Sequence, residues 1–194
     1  MRIIAGEFRS RRLESPKGLD TRPTLDATRE SLFNILQGKL EGTTILDLFA
    51  GSGSLGLEAI SRGAHFAVFC DNSKEAARAV HKNITSLGLD SRTHLMLMDW
   101  SKALDELANS NQKFHFIFLD PPYMATYEPV IDKIENLGLL ENIGQIILER
   151  SVKQTVSLPR SLLLLRTKQY RHTAIDFIGQ EAIKDENGNL SGQL

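Results

Sequence analysis

Cysteine is nearly missing from this 194-residue chain, and Cys70 is the single one. One thiol excludes an internal disulfide framework and suits a reducing cytosol, so a cytoplasmic protein is expected. The five histidines, His65, His81, His94, His115 and His172, are scattered, and none stands at metal-ligand spacing from another or from the cysteine. No metal is expected. No apolar run reaches membrane-spanning length, and Ile3-Ile4-Ala5 is far too short for a signal peptide. A strong charge of either sign is also missing. With 23 Lys and Arg against 24 Asp and Glu, the net charge of −1 means that any affinity for nucleic acid must come from a local patch. Repeats and low-complexity segments are absent. A composition of 41% hydrophobic and 24% charged residues is that of an ordinary globular protein, with room for one domain and a sizeable core.

What is present centres on residues 44 to 63. Ile45, Leu46, Leu48 and Phe49 read as a short strand buried on both faces of a parallel sheet. Gly51, Gly53 and Gly56 follow in a G-x-G-x-x-G pattern, and Leu57, Ala59 and Ile60 begin a helical one. Strand, glycine turn and helix make a cradle in which the backbone approaches a ligand closely. Two acids add to it. Asp47 lies inside the strand, where a carboxylate needs a donor. Asp71 lies 20 residues past Gly51, at the end of the next apolar run, from which an acid reaches ribose hydroxyls. Either an NAD-type cofactor or S-adenosylmethionine fits these features.

Along the chain, residues 2–13 alternate around Gly6 and read as a short hairpin, and residues 14–24 read as a loop. A helix is expected over 25–37. Strands at 66–70, 94–98, 114–119 and 145–148 then alternate with helices near 73–87, 103–108 and 129–137, which predicts a doubly wound parallel sheet. The runs 162–170 and 173–178 are separated only by Arg171 and His172, so they form a hairpin and an antiparallel edge. Residues 180–194 lack periodicity and read as a disordered tail. The division expected is therefore an N-terminal hairpin and loop (1–24), a catalytic domain (25–179) and the tail.

The fourth strand runs straight into Asp120-Pro121-Pro122-Tyr123. Ligands of open α/β sheets bind beyond the carboxyl ends of the strands, so this tetrapeptide should face the same cavity as the glycine loop. The prolines stiffen it and leave carbonyls as acceptors, Asp120 adds a carboxylate, and Tyr123 adds a flat ring. Acceptors beside a stacking surface suit a planar base that presents an NH₂ group.

These motifs resemble the S-adenosylmethionine-dependent methyltransferases that act on exocyclic amino nitrogens. Met1 to Leu13, Arg22-Pro-Thr and Arg29-Glu-Ser-Leu-Phe-Asn-Ile-Leu narrow the resemblance to the bacterial RsmD family of small-subunit (16S) ribosomal RNA (guanine-N2) methyltransferases. It spans roughly residues 1–179. The resemblance implies a Rossmann-like, mostly parallel seven-stranded sheet with a C-terminal antiparallel hairpin and a small N-terminal β-hairpin extension. It also implies S-adenosyl-L-methionine as cofactor, and 16S rRNA as partner, in an assembled or partly assembled small ribosomal subunit. Residue by residue, Gly51, Gly53 and Gly56 with Phe49 take the methionine and ribose end of the cofactor, and Asp71 the ribose hydroxyls. Asp99 and Trp100 take the adenine, and Asp47 orients the loop or meets the amine. Asp120 and the Pro121 carbonyl accept from the guanine NH₂, with Pro122 stiffening the loop and Tyr123 stacking on the ring. Arg2, Arg9, Arg11, Arg12 and Arg22 become RNA-backbone contacts. One feature departs from the family: Tyr170 is followed by Arg171 where glycine is usual.

Three other readings share some of these features. An NAD-dependent oxidoreductase would leave Asp-Pro-Pro-Tyr unused. An adenine-N6 methyltransferase shares the amino-group chemistry, and a non-catalytic RNA-binding assembly factor shares the fold. Cys70 inside a strand argues against a covalent cysteine mechanism.

Overall fold

The structure, a computed structural model, describes residues 1–16, 23–121 and 126–180, with the backbone alone for 23–26. In chain order, α1 (Pro23–Ile35) precedes β1 (Thr44–Asp47), α2 (Ser54–Ser61), β2 (Phe66–Asp71), α3 (Lys74–Leu87) and β3 (Thr93–Leu97). Then come α4 (Trp100–Asn109), β4 (Phe114–Leu119), α5 (Glu128–Asn136), β5 (Leu140–Ser151), β6 (Leu163–Gln169) and β7 (Thr173–Gly179). One seven-stranded sheet results, in the order β3-β2-β1-β4-β5-β7-β6. The pairs from β3 through β5 are parallel, and β7 runs antiparallel to both β5 and β6. The tight link at Arg171 and His172 gives the expected hairpin, closed by Tyr170 N–H donating to the Thr173 carbonyl at 2.7 Å. Neither linking residue has positive φ, so this turn needs no glycine. The hairpin returns over β5, and the edge strand is β6.

The two faces of the sheet bury separate cores. Ile45, Phe69, Phe118 and Ile147 pack beneath α1, α2 and α3, whereas Leu46, Val68, Ile117 and Leu148 pack against α4 and α5. Alternate residues thus serve opposite faces, and every central strand reads as a continuous apolar run. Phe33 of α1 meets Phe118 with ring centroids 5.9 Å apart and a 53° tilt, a geometry worth about 0.5–1.5 kcal/mol beyond its buried area.

Several boundaries differ from the sequence pattern, each for a local reason. α1 starts at Pro23, whose missing N–H and fixed φ suit a first helical position. α4 starts at Trp100 because the Asp99 carboxylate caps it through Ser101 N–H at 2.9 Å. β5 begins at Leu140, with an irregularity in its pairing between Phe114 and Phe116. Residues 2–13 fold back as a short hairpin, with an antiparallel bridge of Arg2 to Arg12 and backbone hydrogen bonds from Ile3 N–H to the Arg11 carbonyl at 2.9 Å, Ser10 N–H to the Ile3 carbonyl at 2.9 Å and Leu13 N–H to the Met1 carbonyl at 3.0 Å. Further contacts go to the domain. Ile3 and Leu13 enter the α1–α3 core, and Glu7 N–H donates to the Ser61 carbonyl at 2.7 Å. Gly6 makes this approach possible, since a Cβ there would collide with the Ser61 backbone. No helix among the described residues is long and apolar enough to cross a membrane.

Candidate active site

The strand order reverses between β1 and β4, and the crevice beyond their carboxyl ends is where open α/β sheets bind ligands. The glycine loop leaves β1 there. Gly51 and Gly53 take positive φ, and a Cβ on Gly51 would meet nothing within 4 Å, so the loop opens onto free space. Gly56 is required by packing, because a Cβ would drive into the Phe69 ring. Its N–H donates to Asp47 Oδ2 at 3.0 Å, which supplies the donor that this buried carboxylate needs. Desolvation still dominates at Asp47. It pushes the carboxyl up to about 8 against the lowering effect of that hydrogen bond, and the charges of Asp120 and Asp71 add to the rise.

Asp71, half-buried at the end of β2, accepts from Gly51 N–H at 2.9 Å and from Ser73 N–H at 2.8 Å. It fixes the loop and the start of α3 while keeping lone pairs toward the crevice. Asp99 is exposed past β3 and partly committed as the α4 cap, and Trp100 packs half-buried on the α4–α5 core. Phe49 packs half-buried on the same core. Carboxylates at three neighbouring strand ends, around an open glycine turn, form a donor-seeking set. They fit a nucleoside that carries hydroxyls and amines, and S-adenosylmethionine is such a molecule. Cys70 is buried, its thiol pushed up to about 12 by burial and then by the charges of Asp71, Asp99 and Asp47, which leaves no reactive thiolate.

Across the switch point, Asp120 is the first residue past β4, with Pro121 buried beside it. The Asp120 carboxyl reaches solvent at the crevice mouth but is otherwise surrounded by protein, and the lost hydration pushes it up to about 6. The neighbouring strand brings an acid that the sequence reading did not single out. Leu119 pairs with Leu148, so Glu149 stands beside Asp120. Burial and then the charge of Asp120 push its carboxyl up to about 8. Asp47, Asp120 and Glu149 thus line one face of β1, β4 and β5. Asp47 was marked by its place inside an apolar strand and Asp120 by a strand end; Glu149, directly after Ile146-Ile147-Leu148, carried the same strand-end mark without being singled out.

Three other structural residues escaped the sequence reading. Glu58, fully buried on α2, accepts from Ile4 N–H at 2.7 Å, Ala5 N–H at 3.1 Å and Arg62 Nε at 2.7 Å. Asn83 joins the N-terminal segment to the glycine loop, its Nδ2 donating to the carbonyls of Glu14 and Ser52, both at 2.9 Å. Arg150 grips Asp176 with two nitrogens and ties β5 to β7.

The arginines at the amino end are exposed but do not gather into one cluster. Arg2 and Arg12 oppose each other at the bridge, whereas Arg11 Nη2 donates to the Ser86 carbonyl at 2.7 Å, near the end of α3. Arg9 lines a separate cavity of about 450 Å³ with Asn34, Gln37 and Arg62. That cavity lies by the carboxyl end of α2, away from the acids of the crevice, so it is not the ligand site described above. Arg22, Pro122, Tyr123 and the tail from residue 181 lie outside the described residues.

The model of a family described as "Conserved hypothetical protein 95" matches residues 1–179. The chain is 36% identical over 179 residues to a "Putative rRNA methyltransferase YlbH" of Bacillus subtilis, covering 90% of this chain and 96% of that one. It is 33% identical over 184 residues to "Ribosomal RNA small subunit methyltransferase D" of Escherichia coli, covering 94% and 91%. Among solved structures, "Putative methyltransferase yhhF from Escherichia coli" superposes with a TM-score of 0.79 at 32% identity, over 94% of this chain and 99% of that one.

Proposed function

This chain belongs to the conserved hypothetical protein 95 family, and on that premise we propose that it is an S-adenosylmethionine-dependent methyltransferase of ribosomal RNA. Its proposed target is the exocyclic N2 amine of a guanine in 16S rRNA, met in an assembled or partly assembled small subunit. The observation that carries this reading is the meeting of two constellations at the β1–β4 switch point. The Asp47–Gly56 loop with Asp71 lies on one side, and Asp120-Pro121 on the other.

When bound, S-adenosylmethionine supplies an electrophilic methyl on a sulfonium. Gly51, Gly53 and Gly56 with Phe49 would hold its methionine and ribose end, Asp71 its ribose hydroxyls and Asp47 its amine. Asp99 and Trp100 would hold its adenine. Asp120 and the Pro121 carbonyl accept the two hydrogens of the guanine amine. The lone pair of an aryl amine is delocalised into its ring, so the nitrogen is a poor nucleophile. Holding it between two acceptors lets it pyramidalise and stabilises the positive charge it gains, which combines positioning with preorganised electrostatics. Pro122 stiffens this loop and Tyr123 stacks on a base turned out of its helix. The N-terminal unit of residues 1–24 meets the RNA backbone through Arg2, Arg9, Arg11, Arg12 and Arg22.

Nucleoside mass spectrometry of small-subunit RNA, treated with the protein and S-adenosylmethionine, tests the reading. N2-methylguanosine is the expected product. N6-methyladenosine in its place, or no new methyl group, would contradict it.

A further inference from the structure

We propose that Glu149 forms, beside Asp120, a subsite that accepts the N1–H of the target base and so selects guanine over adenine; this rests on the placement of the reacting amine at Asp120. Parallel register sets the two acids side by side, because Leu119 pairs with Leu148 and each acid follows directly. Adjacent strands lie about 4.8 Å apart, so the two side chains can converge on one base edge. Alternation puts both on the α1–α3 face, since Phe118, Ile147 and Ile175 (the partner of Glu149 on β7) all enter that core.

Glu149 is half-buried, yet no side-chain hydrogen bond ties it to any described residue. Its neighbours do not neutralise it. Arg150 is committed to Asp176, and Lys168 stands one strand beyond Ile175, exposed. A partly desolvated carboxyl without a protein donor has acceptor capacity left in the free protein, and a ligand in the crevice can fill it. Guanine does so. Its N1–H and N2–H₂ are adjacent donors on the Watson–Crick edge, the edge through which an extruded base is read. Donation from N1–H favours the ionised form of Glu149, and adenine, which presents N6–H₂ beside N1, an acceptor, would face that carboxylate lone pair to lone pair. Such a site rejects the wrong base by leaving buried polar groups unpaired.

The test uses small-subunit RNA carrying either guanine or 2-aminopurine at the methylated position. The analogue keeps the 2-amino group but has an acceptor at N1. The wild-type protein should transfer methyl to guanine roughly ten- to a hundredfold faster, the factor for one charge-assisted hydrogen bond. Glu149→Gln offers an amide NH₂ to N1 of the analogue, so it should slow on guanine and lose most of that preference. Glu149→Asp keeps the charge and should keep the preference. Calorimetric affinity for S-adenosylhomocysteine confirms that each variant is folded; if Glu149→Gln fails this check, Glu149→Ala takes its place, should likewise lose the preference, and would overturn the subsite by keeping it. A guanine preference unchanged in Glu149→Gln, or lost in Glu149→Asp, would overturn the subsite while leaving Asp120 in place. Asp120→Ala should be slow on both bases. Full activity of that variant on both would instead remove the amine placement, and the subsite with it.

Discussion

At the end of β2 one carboxylate, that of Asp71, holds the amides of Gly51 and Ser73 and still faces the crevice. A substitution there acts on both the loop and the ligand, so Asp71→Asn separates the two better than alanine does, by keeping the shape. It should weaken S-adenosylhomocysteine binding roughly ten- to a hundredfold, the effect of losing a charge-assisted hydrogen bond. Calorimetry showing unchanged affinity would remove Asp71 from the ribose site. Residues of this kind were legible because an acid directly after an apolar run marks a strand end, and strand ends carry function in this architecture. Glu149 carried the same mark after Ile146-Ile147-Leu148, but that it stands beside Asp120 comes from the register of β5 against β4, a long-range fact. Glu58 hid for a similar reason. An acid on a helix reads as solvated, and its donors are amides more than 50 residues away.

The N-terminal hairpin is tied to the domain through Glu58. Its own arms are joined by backbone hydrogen bonds around the Arg2–Arg12 bridge, and Glu58 receives two of its backbone amides and an arginine while fully buried. Glu58→Ala should destabilise the protein by about 3–5 kcal/mol, because Arg62 and the two amides are left without their acceptor. Hydrogen exchange at Ile4 and Ala5 should rise in parallel, and protection equal to the wild type would show that other contacts hold the segment. Period-2 alternation suggested a hairpin here because Ile3 and Leu13 are indeed buried. The hairpin forms, but the pattern could not show that an acid on α2 holds it to the domain. The helices and central strands were readable for the converse reason: their own periodicity and caps, such as Ser73 accepting from Ala76 N–H, define them locally.

Over the whole molecule, the doubly wound sheet collects acids at one edge of its parallel strands, and this shapes the pH dependence of folding. Asp47 and Glu149 are raised to about 8 and Asp120 to about 6, above their unfolded values near 4. Between those limits the native state binds more protons than the unfolded state, so these groups lower stability as pH rises from about 4 to 8. The ligand-free protein should therefore show a component of its unfolding midpoint that falls from pH 5.5 to pH 8. Asp47→Asn cannot ionise and should have a shallower slope in thermal unfolding series. Parallel slopes for the two proteins would mean that Asp47 is not held neutral by burial. The same sheet explains how the crevice could be read from the order of elements alone: helix-linked parallel strands admit few topologies, and β1 and β4 meet at the reversal.

The central claim is that Asp120 holds the reacting amine while the glycine loop and Asp71 hold the cofactor. Single-turnover methyl transfer to small-subunit ribosomal RNA by Asp120→Ala, paired with its calorimetric affinity for S-adenosylhomocysteine, tests it most directly. Transfer should fall about a hundred- to a thousandfold, the effect of removing one preorganised transition-state contact, with cofactor affinity little changed. A near-normal transfer rate, or a loss of cofactor binding as large as the loss of rate, would contradict the account.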